Sequence, residues 1–217
     1  MLKLELGGAV QPIRRLLAIG AHADDIEIGC GGTIIRLLHE CPDLEVGWVV
    51  LSADGPRAEE AQASAEAMLS NVKQPDIVID SFRDGFLPYA GAAVKERFEQ
   101  LRQRFQPDLI LTHFGRDAHQ DHRLVSELTW NTFRDHLILE FEIPKYDGDL
   151  GAPNFFVRLS QDQVQRKIKH LLQQFPSQAD KHWFSDDLFL ALMRLRGMEC
   201  NASDRYAEAF YSRKAVV

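Results

Sequence analysis

The sequence predicts an α/β fold organised around a mainly parallel sheet. Apolar runs of strand length alternate along the chain with longer amphipathic stretches, which is the pattern of consecutive βαβ units. A length of 217 residues suits one sizeable core and leaves little room for a second, so we expect a single domain over residues 1–217. The apolar fraction of 45% and the charged fraction of 26% are typical of a globular protein.

The first half of the chain supplies two strand-helix pairs and a third strand. Residues 15–20 form an apolar strand that leads through a glycine-rich turn into a helix, where Ile34, Ile35, Leu37 and Leu38 repeat near helical spacing. Further strands are predicted at residues 45–52 and 76–80. Between them, residues 57–72 are rich in Ala, Glu and Met and predict a helix.

The middle of the chain continues the alternation. A helix is predicted over residues 92–105, before Pro107. Leu109, Ile110 and Leu111 are contiguous and apolar, which predicts a buried strand at residues 108–112, followed by a helix over about residues 118–133.

The last third is less regular between residues 137 and 159. Two strand-like segments flank a loop with Pro144, Gly148, Gly151 and Pro153, which either shapes a substrate pocket or is a plain surface loop. Residues 161–175 and 186–198 predict amphipathic helices, and residues 208–215 a final strand. Helices on both faces of such a sheet make a single-domain, Rossmann-like three-layer sandwich.

The charge balance argues against a nucleic-acid partner. A net charge of -7 and a pI near 5.6 leave no general attraction to phosphates. The nearest basic group, Lys95, Arg97, Arg102 and Arg104, is interleaved with acidic and amide side chains, which is typical of a solvated helix face.

Cysteine use and hydropathy predict a cytoplasmic protein. Cys30, Cys41 and Cys200 are widely spaced and cannot all pair with one another, which favours a reducing compartment. No apolar run approaches the ~20 residues of a membrane span, and no apolar leader of the required length precedes Arg14.

Two short blocks of His and Asp carry the chemistry. The first strand leads into Ala21-His22-Ala23-Asp24-Asp25, and the fourth into Asp117-Ala118-His119-Gln120-Asp121-His122. Parallel strands present their carboxyl ends at one sheet edge, where α/β proteins bind ligands. An isolated Asp24 or Asp25 could serve only as a helix cap, and a lone His is more often structural. Three His and four Asp in two blocks at matching positions favour a shared site.

These residues resemble the LmbE-like, or PIG-L-type, N-acetylglucosaminyl deacetylases, a family of metal-dependent hydrolases. The family's Ala-His-Pro-Asp-Asp motif is similar to residues 21–25, with Ala23 in place of Pro, and its glycine-rich turn to Gly29, Gly31 and Gly32. Its second motif, His-x-Asp-His, is similar to residues 119–122. The similarity extends over about residues 16–123, with weaker matches at residues 84–85 and 207–210. For the three glycines, tight strand-to-helix packing is favoured over phosphate binding.

The resemblance implies that His22, Asp25 and His122 bind a metal ion and that Asp24 is the general base. Three N/O ligands with an open position are typical of a catalytic zinc site. Iron, cobalt and manganese also accept such ligands.

The resemblance also implies roles for the rest of the second block. His119 would stabilise the oxyanion or protonate the leaving amine, and Asp121 would orient His119. The alternative for Asp121 is charge complementarity with the helix N-terminus. Asp117 is interpreted as the N-cap, which would place both imidazoles on one face of the first turn.

The implied activity is removal of an N-acyl group from a small aminosugar or glycoconjugate, and N-acetyl is the first candidate for that group. One alternative is an amidase acting on another acyl or cysteinyl aminosugar conjugate. Another is a non-catalytic sugar-binding protein, which would be expected to have lost Asp24 or a ligand. Residues 137–181 match nothing in the family pattern, so the acyl chain and aglycone are left open, as are the metal and the oligomeric state, a homo-oligomer included.

Overall fold

The computed structural model describes residues 13–216, which form one α/β domain with helices on both faces of a single sheet. The predicted fold class is confirmed for these residues. The expectation that no apolar leader precedes Arg14 concerns residues 1–12, which lie outside the described residues, as does Val217. Among the described residues, no helix has both the length and the apolar character needed to cross a membrane.

The strands and helices follow the predicted alternation. The strands of the described chain are β1 Arg15–His22, β2 Glu45–Ser52, β3 Asp76–Ile79, β4 Leu109–His113, β5 Leu137–Phe141, β6 Phe155–Leu159 and β7 Tyr206–Tyr211. The α-helices are α1 Asp25–Glu40, α2 Gly55–Met68, α3 Gly91–Arg104, α4 Gln120–Thr132, α5 Gln161–Gln174 and α6 Asp186–Glu199. Two short 3₁₀ turns, Leu87–Ala90 and Pro176–Gln178, were not predicted because a single turn has no measurable helical period.

The sheet has the order β3-β2-β1-β4-β5-β7-β6. The first five strands are parallel, whereas β7 lies antiparallel between β5 and β6. The chain runs outward from β1 to β3, then returns to β4, which pairs directly with β1, Leu16 opposite Leu109. The strand order therefore reverses between β1 and β4, which is the position where open α/β sheets bind ligands.

Two hydrophobic clusters fill the spaces on either side of the sheet. One joins the sheet to buried residues of α1, α2, α5 and α6, and the other joins it to α3 and α4. The central strands are buried on both faces, so they are nearly continuous apolar runs, which is why their positions could be predicted from composition.

Several predicted boundaries differ from the structure, most clearly in three elements. The final strand was predicted at residues 208–215 but runs from Tyr206 to Tyr211, because Tyr206 and Ala207 pair with β6 and the pairing with β5 ends at Tyr211. The helix predicted from residue 57 to 72 ends at Met68, and a turn follows in which Val72 N–H donates to the carbonyl of Leu69. The helix predicted from residue 118 begins at Gln120, because His119 is extended, with φ -72° and ψ 125°.

The glycines of α1 allow close packing at two of three positions. A Cβ on Gly29 would lie 2.2 Å from Cδ2 of Phe141, and one on Gly32 would lie 2.5 Å from Cδ1 of Leu159. At Gly31 the nearest atoms would be 3.8 Å away, an ordinary contact. The packing interpretation therefore holds for Gly29 and Gly32 and does not apply to Gly31.

Candidate metal-dependent active site

The two His/Asp blocks emerge side by side at one edge of the sheet. β1 ends at His22 and α1 begins at Asp25, while β4 ends at His113 and α4 begins at Gln120. Because β1 and β4 are parallel neighbours, both strand-to-helix connections lie at their carboxyl ends. Residues about a hundred positions apart in the chain are thereby brought into contact.

The three residues predicted as metal ligands converge through one atom each. Nδ1 of His22 lies 3.1 Å from Nε2 of His122 and 3.3 Å from Oδ2 of Asp25, and the last two atoms are 3.5 Å apart. Tetrahedral ligation with zinc bonds of ~2.0 to 2.1 Å separates ligand atoms by roughly 3.3 to 3.4 Å. The donor set therefore fits a single small divalent ion in both chemistry and spacing.

Neighbouring side chains offer further donor atoms. His22, His119 and His122 form one group whose ring nitrogens lie within 4.8 Å of one another, and Asp25, His113 and His122 form a second. A third group is His22 with Asp84 and Asp121. The groups overlap at His22 and His122, which places these two imidazoles at the centre of the cluster.

Electrostatics prepare these groups for a cation. Burial, with the nearby His113 ring, lowers the pKa of His122 to about 4, so its imidazole is neutral and able to ligate. Burial would raise the pKa of Asp25, but His122, His113 and His22 hold it well below its ordinary value. Burial also disfavours charge on His22, yet Asp25, Asp121 and Asp84 together raise the pKa of His22. The surroundings of His22 therefore favour a positive charge at this ring.

Asp24 faces a different environment from Asp25. It occupies the N-cap position of α1, but its side chain makes no capping hydrogen bond, so the simple capping alternative does not describe it. Its Oδ1 lies 2.8 Å from Nη2 of Arg57, and its buried Oδ2 has no hydrogen-bond partner among the described residues. Burial, opposed by Arg57, raises the pKa of Asp24 to about 6. A carboxylate with this pKa can accept a proton near neutral pH.

His119 is half-buried beside the converging ligand atoms. Its ring centroid lies 4.9 Å from that of His22 and 4.7 Å from that of His122. Its Nδ1 accepts the backbone N–H of Asp121 at 3.3 Å, so the neutral ring carries its proton on Nε2. Burial and the neighbouring His22 lower its pKa, which keeps the ring neutral. The Nε2–H is then a donor at the edge of the site.

Asp121 has a different partner from the one predicted. Instead of orienting the His119 ring, its Oδ2 lies 3.3 Å from Nε2 of His22. Oδ2 also accepts the N–H of Gly85 at 2.8 Å, and Oδ1 accepts the N–H of Leu87 at 3.1 Å. The fully buried carboxylate therefore joins His22 to the loop after β3.

Asp117 was interpreted as a helix cap, and the structure corrects this. The N-cap of α4 is His119, and Asp117 precedes it. Oδ2 of Asp117 lies 3.0 Å from Nδ1 of His122, and Oδ1 accepts the N–H of His119 at 2.7 Å. A carboxylate on the far nitrogen of a metal-binding imidazole fixes the ring's tautomer and orientation. Asp117 holds His122 in this way.

Three further residues were not predicted as part of the site. Nε2 of His113 lies 3.1 Å from Asp25 Oδ2, and its ring stacks on His122 with centroids 3.9 Å apart. Oδ1 of Asp84 lies 3.0 Å from Nε2 of His22, and Arg57 pairs with Asp24. His113 ends the buried strand β4 and Asp84 lies in a short family match, so both had a signal in the sequence, whereas Arg57 on α2 had none.

Comparisons with known proteins identify sequence and structural relatives of the chain. Residues 17–133, more than half of the chain, match the family model PIG-L, described as GlcNAc-PI de-N-acetylase. The chain belongs to the PIG-L family. This confirms the predicted resemblance, and the matched segment contains both His/Asp blocks.

Solved structures share the fold of this PIG-L family member. N,N'-diacetylchitobiose deacetylase from Pyrococcus horikoshii, complexed with its inhibitor MPG, is 22% identical with a TM-score of 0.73, over 96% of this chain and 86% of that one. A zinc-inhibited form of teicoplanin deacetylase Orf2 is 15% identical with a TM-score of 0.68, over 91% and 97%.

The same fold also carries other chemistry. GalB, the 4-carboxy-2-hydroxymuconate hydratase from Pseudomonas putida KT2440, is 20% identical with a TM-score of 0.73, over 94% of this chain and 98% of that one. At these low sequence identities the shared fold does not determine the reaction, which has to be inferred from the residues of the site.

Proposed function

We propose that this protein is a divalent-metal-dependent hydrolase that removes an N-acyl group, in the first place N-acetyl, from an aminosugar-type substrate. Zinc is the proposed ion. The observation that carries the proposal is the convergence of His22 Nδ1, Asp25 Oδ2 and His122 Nε2 at 3.1 to 3.5 Å from one another, in a chain of the PIG-L family.

His22, Asp25 and His122 would hold the ion. When bound, a divalent ion supplies Lewis acidity, lowering the pKa of water and polarising the amide carbonyl. Asp117 orients His122 from behind through Nδ1, and Asp121 does the same for His22 through Nε2. Two of the three ligands are thus held by buried carboxylates.

Asp24 is the proposed general base. It would accept the proton of the attacking water and return it to the amine as the C–N bond breaks. Its pKa of about 6 leaves it ionised at neutral pH and still basic enough for this transfer. Arg57 at 2.8 Å fixes Oδ1 and leaves Oδ2 for the water.

His119 is the proposed oxyanion donor. As the amide carbonyl becomes tetrahedral, charge develops on its oxygen, and a neutral Nε2–H can stabilise that charge. The hydrogen bond that Nδ1 accepts from the Asp121 backbone fixes the required tautomer. The side chain is also exposed enough to meet a substrate.

The names of the structural relatives support an aminosugar substrate. One deacetylase above is named for diacetylchitobiose, an N-acetylated disaccharide, and the other for teicoplanin. The negative charge of the chain argues against nucleic acid as the substrate. The proposed location is cytoplasmic, as the three widely spaced cysteines predict.

The test is a product-release assay with metal-free and zinc-reloaded protein on a panel of N-acetylated monosaccharides, disaccharides and cysteinyl aminosugar conjugates. Free acid and primary amine should appear in equal amounts, stop with chelator and return with metal. Asp24→Asn is the matched control, since it leaves the three ligands in place. If loaded protein releases no amine from any amide, the proposal is wrong. Release from cysteinyl conjugates alone would favour the amidase alternative.

A further inference from the structure

The loop between β5 and β6 contacts the site through one partly buried cation. Lys145 lies in this loop, and its side chain is only 12% exposed. Its Nζ lies 3.0 Å from Oδ2 of Asp117 and 2.6 Å from Oδ2 of Asp149. Lys145 therefore joins a carboxylate of its own loop to a carboxylate of the second His/Asp block.

Both carboxylates also hold the backbone that leads into α4. Oδ2 of Asp149 accepts the N–H of Ala118 at 2.6 Å, and Oδ1 of Asp117 accepts the N–H of His119 at 2.7 Å. Lys145 thus lies between the two groups that fix consecutive peptide units just before His122.

The chain of contacts ends at a proposed metal ligand. Oδ2 of Asp117 contacts both Nζ of Lys145 and Nδ1 of His122, each at 3.0 Å. Without Lys145, Asp117 and Asp149 would face each other as like charges in a poorly solvated setting, where repulsion is strong. Loss of the cation should therefore disturb both the loop and the orientation of His122.

Two fully buried ion pairs elsewhere in the described chain lack this connection. Lys167 pairs with Glu208 at 2.6 Å and Arg196 pairs with Glu142 at 2.8 Å, and neither carboxylate contacts a proposed ligand. The first pair joins α5 to β7, and the second joins α6 to the residue that follows β5. Of Lys145, Lys167 and Arg196, only Lys145 contacts a carboxylate that holds a proposed ligand imidazole.

We propose that Lys145 is a positioning residue that couples the β5–β6 loop to metal binding at His122 through Asp117. This inference rests on the proposed function, because it requires an ion at His22, Asp25 and His122. Coupling between two sites is reciprocal. Metal binding should therefore order the loop, and the loop contact should strengthen metal binding.

The first measurement is zinc affinity, obtained by competition with a chromophoric chelator, for wild type, Lys145→Met and Lys145→Arg. Lys145→Met should weaken zinc binding ~10- to 100-fold, which is the usual cost of losing a residue that orients a metal ligand. Lys145→Arg should recover most of the zinc affinity. Lys73→Met is the matched control: it removes the same charge from an exposed pair with Asp43, both side chains more than 80% exposed, and should bind as wild type.

The second measurement is hydrogen exchange of peptides covering residues 143–152, with and without zinc. Zinc should slow exchange in the wild-type loop and leave it unchanged in Lys145→Met. A purely structural role would raise exchange in both states and preserve the difference that zinc makes, which would overturn the inference. Wild-type zinc affinity in Lys145→Met would overturn it too. A wild-type protein that binds no divalent ion would instead refute the proposed function, and this inference with it.

Discussion

The carboxylates of Asp24 and Asp25 have separate contacts, although the two residues are adjacent in the chain. Oδ2 of Asp25 lies 3.3 Å from His22 Nδ1 and 3.5 Å from His122 Nε2, whereas Oδ1 of Asp24 lies 2.8 Å from Nη2 of Arg57. The start of α1 turns the two side chains to different neighbours. This separation supports ligation by Asp25 and proton transfer by Asp24.

Substitution should separate the two roles. Asp24→Asn should keep the metal and lose ~10²-fold or more in kcat, because an amide cannot accept the water's proton. Asp25→Asn should weaken metal binding. Metal content and kcat are measured together for both variants. The roles would have to be exchanged if Asp24→Asn were metal-free while Asp25→Asn stayed loaded, and normal turnover in Asp24→Asn would exclude it as the base.

His119→Gln tests the proposed oxyanion donor. Removing one such donor costs ~10² to 10³ in kcat, and we expect a loss of that size with metal content and KM little changed. The measurement is steady-state kinetics beside metal analysis. Loss of the ion in His119→Gln would show that His119 is a ligand, and full turnover would exclude its role in catalysis.

The glycines of α1 make a matched pair for stability. Gly31→Ala adds a methyl group where the nearest atoms are 3.8 Å away, so it should be neutral or stabilise the helix by ~0.5 to 1 kcal/mol. Gly29→Ala places a methyl group 2.2 Å from Phe141 and should destabilise by ~1 to 3 kcal/mol. Urea unfolding of the two variants measures the difference between their free energies of unfolding. Equal stabilities would contradict the packing explanation.

His170 predicts a pH dependence of stability away from the site. Its Nε2 lies 2.8 Å from Oγ of Ser64, and burial lowers its pKa from 6.5 to about 4. Between these values the unfolded chain binds the proton and the folded chain does not, so this group reduces stability as the pH falls from 6.5 toward 4.

The test compares metal-free wild type with His170→Gln by urea unfolding at pH 7 and pH 5. The variant cannot bind that proton, so on acidification it should lose less free energy of unfolding than wild type, by up to ~2 kcal/mol. An equal loss in the two proteins would show that His170 titrates normally in the fold.

Much of the architecture could be predicted because its signals are local. Parallel strands buried on both faces are apolar runs, and the helices between them show their own period or composition. The proximity of His22 and His122 could also be predicted, because β1 and β4 are parallel and end at the same edge of the sheet. Element ends were predicted less accurately: α4 begins at Gln120 because His119 is extended, which composition does not reveal.

The contacts around the ligands were harder to predict because they join distant segments. Arg57 reaches Asp24 only through the packing of α2, and Lys145 reaches Asp117 from a loop with no family pattern. Asp121 was given the wrong partner because its direction depends on where α4 begins. His113 could have been found, since it is a polar residue at the carboxyl end of a buried strand beside the first block.

The most direct test of the metal site is elemental analysis of purified wild type, His22→Ala and His122→Ala, prepared identically. Wild type should contain about one divalent ion per chain, because His22 Nδ1, Asp25 Oδ2 and His122 Nε2 form one ligand set. Each variant should lose most of that ion while keeping its fold by circular dichroism. Full metal content in either folded variant would contradict the ligand assignment and the mechanism built on it.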